Sequence, residues 1–221
     1  MSVNPFCQLQ DPLFPEGALP VLMAGFSAGL PAWSGLQTKF DGSVEASSVK
    51  NNATAFAKNS AVAFLFLPPS MPGRPARLLL TRRSMAVRTH KGQIGFAGGR
   101  SEASDFGPAE TVLREVKEEV GIPSESISVL GVLEPERALD GGLVVPVVAV
   151  ARVSESELVA APEEVKAIHL LEWPHFAVLA ARRFEFTLFG LRRDSWLFQT
   201  DPPVWGLTAK IIAGAGLEVT S

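Results

Sequence analysis

Residues 92–122 read GQIGFAGGRSEASDFGPAETVLREVKEEVGI, and the helix they predict from Gly107 to Val120 organises the rest of the chain. On a 3.6-residue period Ala109, Val112, Leu113, Val116 and Val120 share one side and form an apolar stripe facing a core. Glu115, Glu118 and Glu119 share another arc, about 100° wide. Pro108 suits the first turn, and Gly121 followed by Pro123 ends the helix, so its polarity is defined. Glu118 and Glu119 then sit in the last turn against the helix dipole, with Glu115 one turn back repelling both. A solvated acidic face, softened by Arg114 and Lys117, is the plain reading. A cluster of oxygen ligands for Mg²⁺ or Mn²⁺ is the alternative.

Gly98-Gly99 stands between a short strand predicted at Gln93–Ala97 and the loop leading to the helix. Backbone there can approach a metal or phosphate without interference from a Cβ. From Gly99 through Asp105 and Arg114 to Ile122 the residues form G-x5-D-x8-R-E-V-K-E-E-V-G-I. This pattern resembles the Nudix box of the Nudix hydrolases, G-x5-E-x7-R-E-U-x-E-E-x-G-U with U aliphatic. The match is complete from Arg114 to Ile122; upstream, Asp105 replaces Glu and the spacer to Arg114 is one residue longer.

A second motif precedes the first. Residues 79–99, LLTRRSMAVRTHKGQIGFAGG, are similar to the signature L-L-T-x-R-[SA]-x3-R-x3-G-x3-F-P-G-G of Nudix enzymes that hydrolyse coenzyme A. Leu79, Leu80, Thr81, Arg83, Ser84, Arg88, Gly92, Phe96, Gly98 and Gly99 match in register, and Ala97 stands where that family has proline. Proline would fix φ ahead of the glycine pair, so alanine leaves the conformation available but less pre-organised.

The resemblance implies a Nudix-type α/β/α sandwich with a mixed β-sheet and a metal-dependent pyrophosphohydrolase acting on coenzyme A or its thioesters. It implies Glu115 and Glu119 as the main ligands of Mg²⁺ or Mn²⁺, Glu118 as a further ligand or the general base, and the Gly98 carbonyl as a contributor. Arg83 and Arg88, with the Gly98-Gly99 backbone, are the substrate-binding candidates, because a guanidinium matches phosphate oxygens with a planar fork. Arg114 and Asp105 are read as structural, the arginine holding the helix against the glycine loop. Glu163 and Glu164 lie where many Nudix enzymes carry another catalytic glutamate, and are read here as a solvated loop end. Two other functions stay open: a Nudix pyrophosphatase for ADP-ribose or another nucleoside diphosphate derivative, and a module that binds such a ligand without turning it over.

Composition bounds these expectations. The 221 residues can hold one sizeable domain, and 47% hydrophobic residues with a mean hydropathy of +0.21 imply a filled core and exclude a disordered chain. A net charge of −3 offers no general attraction to nucleic acid or acidic membranes, so neither is expected as a partner. Basic residues instead crowd locally, with Arg74, Arg77, Arg82, Arg83, Arg88, Lys91 and Arg100 just ahead of the acidic helix, suiting a small anionic nucleotide. The apolar runs Ala61–Leu67 and Leu143–Ala151 fall well short of the roughly 20 residues of a membrane span, and the N-terminus lacks a secretory pattern. A lone Cys7 suits a reducing compartment, so a cytoplasmic setting is expected. A homodimer is left open.

Residues 1–50 read as an extension of unknown role, with a short helix near Leu19–Leu30, and 51–221 as the Nudix hydrolase domain. Strands are expected at Ser60–Leu67, Arg77–Arg82, Ile127–Leu133, Val144–Val153, Glu164–Leu171, Phe184–Phe189 and Ser195–Phe198, with a turn at Asp140–Gly142. Helices are expected at Trp173–Arg182 and Val204–Ala213. Trp205, Phe184, Phe186 and Phe189 are assigned to the core, and His90, His169 and His175 to surface or core polar positions.

Overall fold

A run of apolar residues without alternation requires cover on both faces, and Ser60–Leu67 (β1) has it. Ala61, Ala63, Leu65 and Leu67 face one layer while Phe64 and Phe66 face the other, all six fully buried. The computed structural model describes residues 59–69, 74–87, 89–139, 141–173, 176, 181–188 and 191–215. The expected extension 1–50, including the helix near Leu19–Leu30, lies outside them, as do Arg88 and His175.

Around β1 the described residues form an eight-stranded mixed sheet. Arg77–Arg83 (β2), Ile94–Gly95 (β3), Gly98–Arg100 (β4), Ile127–Val132 (β5), Glu136–Arg137 (β6), Leu143–Ala151 (β7) and Val165–Glu172 (β8) complete it. The central order is β3-β2-β1-β7-β5, with β4 on β1, β6 on β7 and β8 on β2. β1 and β7 are parallel, from Ser60 opposite Val144 to Phe66 opposite Val150; the other pairs are antiparallel.

Helical residues cover each face. Pro108–Val120 (α1) buries Val112, Val116 and Val120 against Ala61, Ala63, Leu65 and Val147; each valine contributes about 1.5–3 kcal/mol by leaving water. Gly206–Gly214 (α2) buries Ala209, Ile211 and Ile212 on the opposite face with Phe64, Phe66, Leu78 and Leu80. The expected α/β/α sandwich is therefore the observed architecture. A second, three-stranded sheet of Arg182–Leu188 (β9), Leu191–Phe198 (β10) and Val204–Trp205 (β11) is joined to that second core by an aromatic chain. Phe64 meets Trp173 at 5.4 Å, Trp173 meets Phe176 at 5.8 Å, and Phe176 meets Phe198 of β10 edge-on at 5.2 Å; each contact adds about 0.5–1.5 kcal/mol beyond its buried area.

Several expectations need correction. Of the strand expected at Gln93–Ala97 only Ile94–Gly95 is one, and Gly98-Gly99, expected between that strand and the loop, begins a further short strand, Gly98–Arg100. The turn near Gly141 joins β7 to β6, a two-residue strand absent from the expected set. Arg182 begins β9, while Trp173 and Phe176 are helical as expected and residues 174–175 and 177–180 lie outside the description. Val204 and Trp205 pair with β10 before α2 starts. Trp205 and Phe184 are not core residues: they are 40% and 37% exposed. The side chain of Phe186, and Phe189 altogether, lie outside the description. Among the described residues no helix is long and apolar enough to cross a membrane.

Candidate active site

β2 leaves β1 after two residue pairs, Phe66 opposite Leu78 and Leu67 opposite Arg77. The chain returning from the loop after β2 fills the gap. β3 pairs with the far end of β2, Ala97 accepts a hydrogen bond from the Ala63 N–H at 2.8 Å, and β4 pairs with Ser60–Val62 of β1. That ladder bond holds the fully buried Ala97, at the position where the related signature has proline, in the sheet through its carbonyl, an acceptor that proline would keep.

The two glycines serve different needs. Gly98 has φ 147°, and a Cβ there would meet the Ala61 carbonyl oxygen at 2.4 Å, so main chain packs against main chain. A Cβ on Gly99 would lie 2.3 Å from Glu115 Oε1; the space a side chain would take is filled by that carboxylate.

α1 supplies the acids. Gly107 starts it with Pro108 in the first turn, and Gly121, at φ 74°, closes it with its N–H bonded to the Lys117 carbonyl at 3.2 Å. Arg114 fastens it to the glycine segment with all five guanidinium donors committed. Nε and Nη2 reach Asp105 at 3.3 and 3.1 Å, Nη2 also reaches the Arg100 carbonyl at 2.9 Å, and Nη1 reaches Glu115 at 2.9 Å and Glu118 at 3.3 Å. Asp105 also accepts from the Thr111 hydroxyl and the Glu102 N–H, both at 2.9 Å. Burial works to raise the Asp105 carboxyl, but the Arg114, Glu102 and Thr111 hydrogen bonds outweigh it and hold the group below its ordinary value. Both residues thus have the structural part expected of them.

The three glutamates are not equivalent. The Glu118 side chain is 59% exposed, Glu115 is 13% exposed and Glu119 is 2% exposed. Burial pushes Glu119 up to about 8, with the Arg83 guanidinium and the Gly98 N–H pulling it down and the charges of Glu115 and Glu164 pushing it further up. Burial also raises Glu115, against the pull of Arg114 and with the push of Glu118 and Glu164. Arg83 stands at the end of β2, where the pairing with β8 slips from Arg82–Ala167 to Arg83–Val165. A bulge of this kind re-aims a side chain, and Arg83 Nη1 lies 3.6 Å from Glu119 Oε1. The next residue, Ser84, donates its N–H to the Glu164 carbonyl at 2.7 Å. Glu164 is exposed, as a loop end should be, yet its charge reaches both Glu115 and Glu119 and makes a fourth carboxylate beside the site. Nothing local in the sequence joins Glu164 to α1; the β2–β8 pairing does.

Two facts decide whether a divalent cation suits this place. Glu119 Oε2 is buried without a hydrogen-bond partner, a costly condition for an acceptor. Glu115 and Glu119 are also partly desolvated carboxylates that repel each other. A hard cation that takes oxygen ligands relieves both strains, so the residues fit Mg²⁺ or Mn²⁺. Among the described residues no three His, Cys, Asp or Glu side chains form a ready-made cage; Mg²⁺ commonly uses one or two carboxylates and keeps several waters.

An α/β/α sandwich that turns buried carboxylates toward an arginine at a glycine-rich strand belongs to the class of proteins suited to handle phosphate esters and anhydrides with a bound cation. The chain is a member of the Nudix family: the NUDIX domain model matches residues 59–189. A Pectobacterium atrosepticum protein named "Uncharacterized Nudix hydrolase NudL" is 37% identical over 199 residues, spanning 76% of this chain and 97% of its own length. The NudL of Citrobacter koseri is 36% identical over 165 residues, spanning 73% of this chain and 84% of its own. Among solved structures, the Nudix hydrolase RenU of M. smegmatis aligns with 55% of this chain and 74% of its own at a TM-score of 0.45 and 21% identity. The protein is accordingly a Nudix hydrolase, a family that generally uses divalent cations and takes small nucleotide-derived substrates.

Proposed function

We propose that this Nudix hydrolase cleaves the pyrophosphate bond of coenzyme A or its thioesters, giving 3′,5′-ADP and (acyl-)4′-phosphopantetheine, with Mg²⁺ or Mn²⁺ held by Glu115 and Glu119. The observation that carries the reading is the course of residues 79–99. The coenzyme A-type signature runs along β2, through the basic loop and into β3 and β4, and its first arginine, Arg83, comes 3.6 Å from the most buried carboxylate. The strands that carry the signature thus lie against the helix that carries the proposed cation ligands.

The bound cation would neutralise the diphosphate oxygens and lower the pKa of water for attack at phosphorus. The chain's own groups do the rest. Arg114 fixes the Glu115 carboxylate over Gly99, and Gly99 leaves the room for it. Arg83, 29% exposed, offers donors to a phosphate oxygen, and Arg88 of the same sequence signature is assigned the same task. Glu118 is bound to Arg114 through Oε2 and keeps Oε1 for a proton from the attacking water or for a further cation contact. The backbone of Gly98 and Gly99 lines the same edge, with the Gly98 carbonyl proposed as an additional ligand. A cytoplasmic setting is proposed on the lone Cys7.

Ala97 is the one residue that keeps ADP-ribose, or another nucleoside diphosphate derivative, as a second reading. With Mg²⁺ or Mn²⁺ the purified protein is expected to split coenzyme A much faster than ADP-ribose, with Glu119→Gln abolishing turnover. Chromatography of the products decides. Turnover confined to ADP-ribose would put the second reading in its place, and nucleotide binding without product would make the protein a non-catalytic module.

A further inference from the structure

Arg83 and Glu119 are each half satisfied. Their 3.6 Å separation is too long for a hydrogen bond, so charge alone joins them. Arg83 Nε and Glu119 Oε2 are both buried without a hydrogen-bond partner. Burial of an ion pair is repaid only where the remaining donors and acceptors are also met, and this pair leaves a spare donor on one side and a spare acceptor on the other. Arg114 provides the contrast: its five donors are all used, so it has nothing to release. Arg82 is no substitute for Arg83: it is exposed, and its charge acts on His169. Among the described arginines beside the site, Arg83 combines a reason to stay with a means to leave.

We propose that the Arg83–Glu119 pair is a latch linking the two halves of the site. In the cation-free protein Arg83 faces Glu119 and neutralises it when the carboxylate is ionised; a divalent cation arriving at Glu119 replaces it, and the freed guanidinium takes a diphosphate oxygen of the substrate. The cation-loaded state then binds the anion more tightly, and by reciprocity the anion tightens the cation. The inference rests on the assignment of Glu119 as a cation ligand.

The test uses full-length protein freed of metal by chelation and dialysis, with inorganic pyrophosphate as the probe in isothermal titration above the value of about 8 at which Glu119 ionises. Glu119→Gln removes the charge that holds Arg83, so the variant is expected to bind pyrophosphate about tenfold more tightly than wild type. Adding Arg83→Gln should erase the gain, and adding Arg82→Gln should preserve it. Equal affinity of wild type and Glu119→Gln would overturn the latch. So would a gain that survives Arg83→Gln, because relief of negative charge alone would then explain it. The cation assignment is judged separately, from Mn²⁺ binding followed by electron paramagnetic resonance. Wild type is expected to bind Mn²⁺, and Arg83→Gln to bind it more tightly with Arg82→Gln unchanged. Wild-type protein that takes up no Mn²⁺ would remove the cation assignment, and equal Mn²⁺ affinity of Arg83→Gln and wild type would count against the latch alone.

Discussion

Two neighbouring glycines separate stability from activity. Gly98→Ala forces a side chain into φ 147° and against the Ala61 carbonyl; strain and overlap together should lower stability by about 3 kcal/mol or more, read from a urea unfolding midpoint. Gly99→Ala meets only the movable end of Glu115, so it should cost within about 1 kcal/mol of stability while hydrolysis is largely lost. The need for glycine was legible from the pair's place before the helix, but the division of labour was not, because it depends on β1 on one side and α1 on the other. Glu119 shows the same limit. At about 100° per residue it falls only about 20° from Val112, where the acidic arc meets the apolar stripe. Periodicity puts it on either face; packing against β1 and the glycine strand buries it.

Elements with long, uniform patterns were readable, and those that exist only through partners were not. β1 and α1 appear at or within one residue of their expected limits, since a continuous apolar run and a helical period are local properties. β3, β4, β6 and β11 have two or three residues each and no pattern of their own; their hydrogen bonds to β1, β2, β7 and β10 define them. α1 is held in its place by Arg114 as well as by its valines. Arg114→Ala would leave the buried Asp105 and the nearly buried Glu115 without their cation, and about 3 kcal/mol of stability should disappear in urea titrations. Arg114→Lys should recover only part of it, because an ammonium cannot bridge Asp105, Glu115 and the Arg100 carbonyl at once.

At the scale of the whole molecule, the buried acid makes folding depend on pH in a defined direction. Glu119 titrates at about 8 in the folded chain against 4.5 ordinarily, so between those values the folded state holds a proton that the unfolded state has lost. Stability of the metal-free protein should therefore fall as pH rises through that window, the Glu119 contribution being complete below it and gone above it. Thermal melts from pH 5 to 9 would show the decline; Glu119→Gln should flatten it, and Mg²⁺ should reverse it at the alkaline end. On the proposed reading, the sandwich, the acidic helix and the glycine strand keep carboxylates poorly solvated until a cation compensates them. The most direct measurement is anomalous diffraction from crystals soaked in Mn²⁺. A peak beside Glu115 and the free oxygen of Glu119 is the expected result, and a protein that hydrolyses coenzyme A while showing no ion at those two side chains would contradict it.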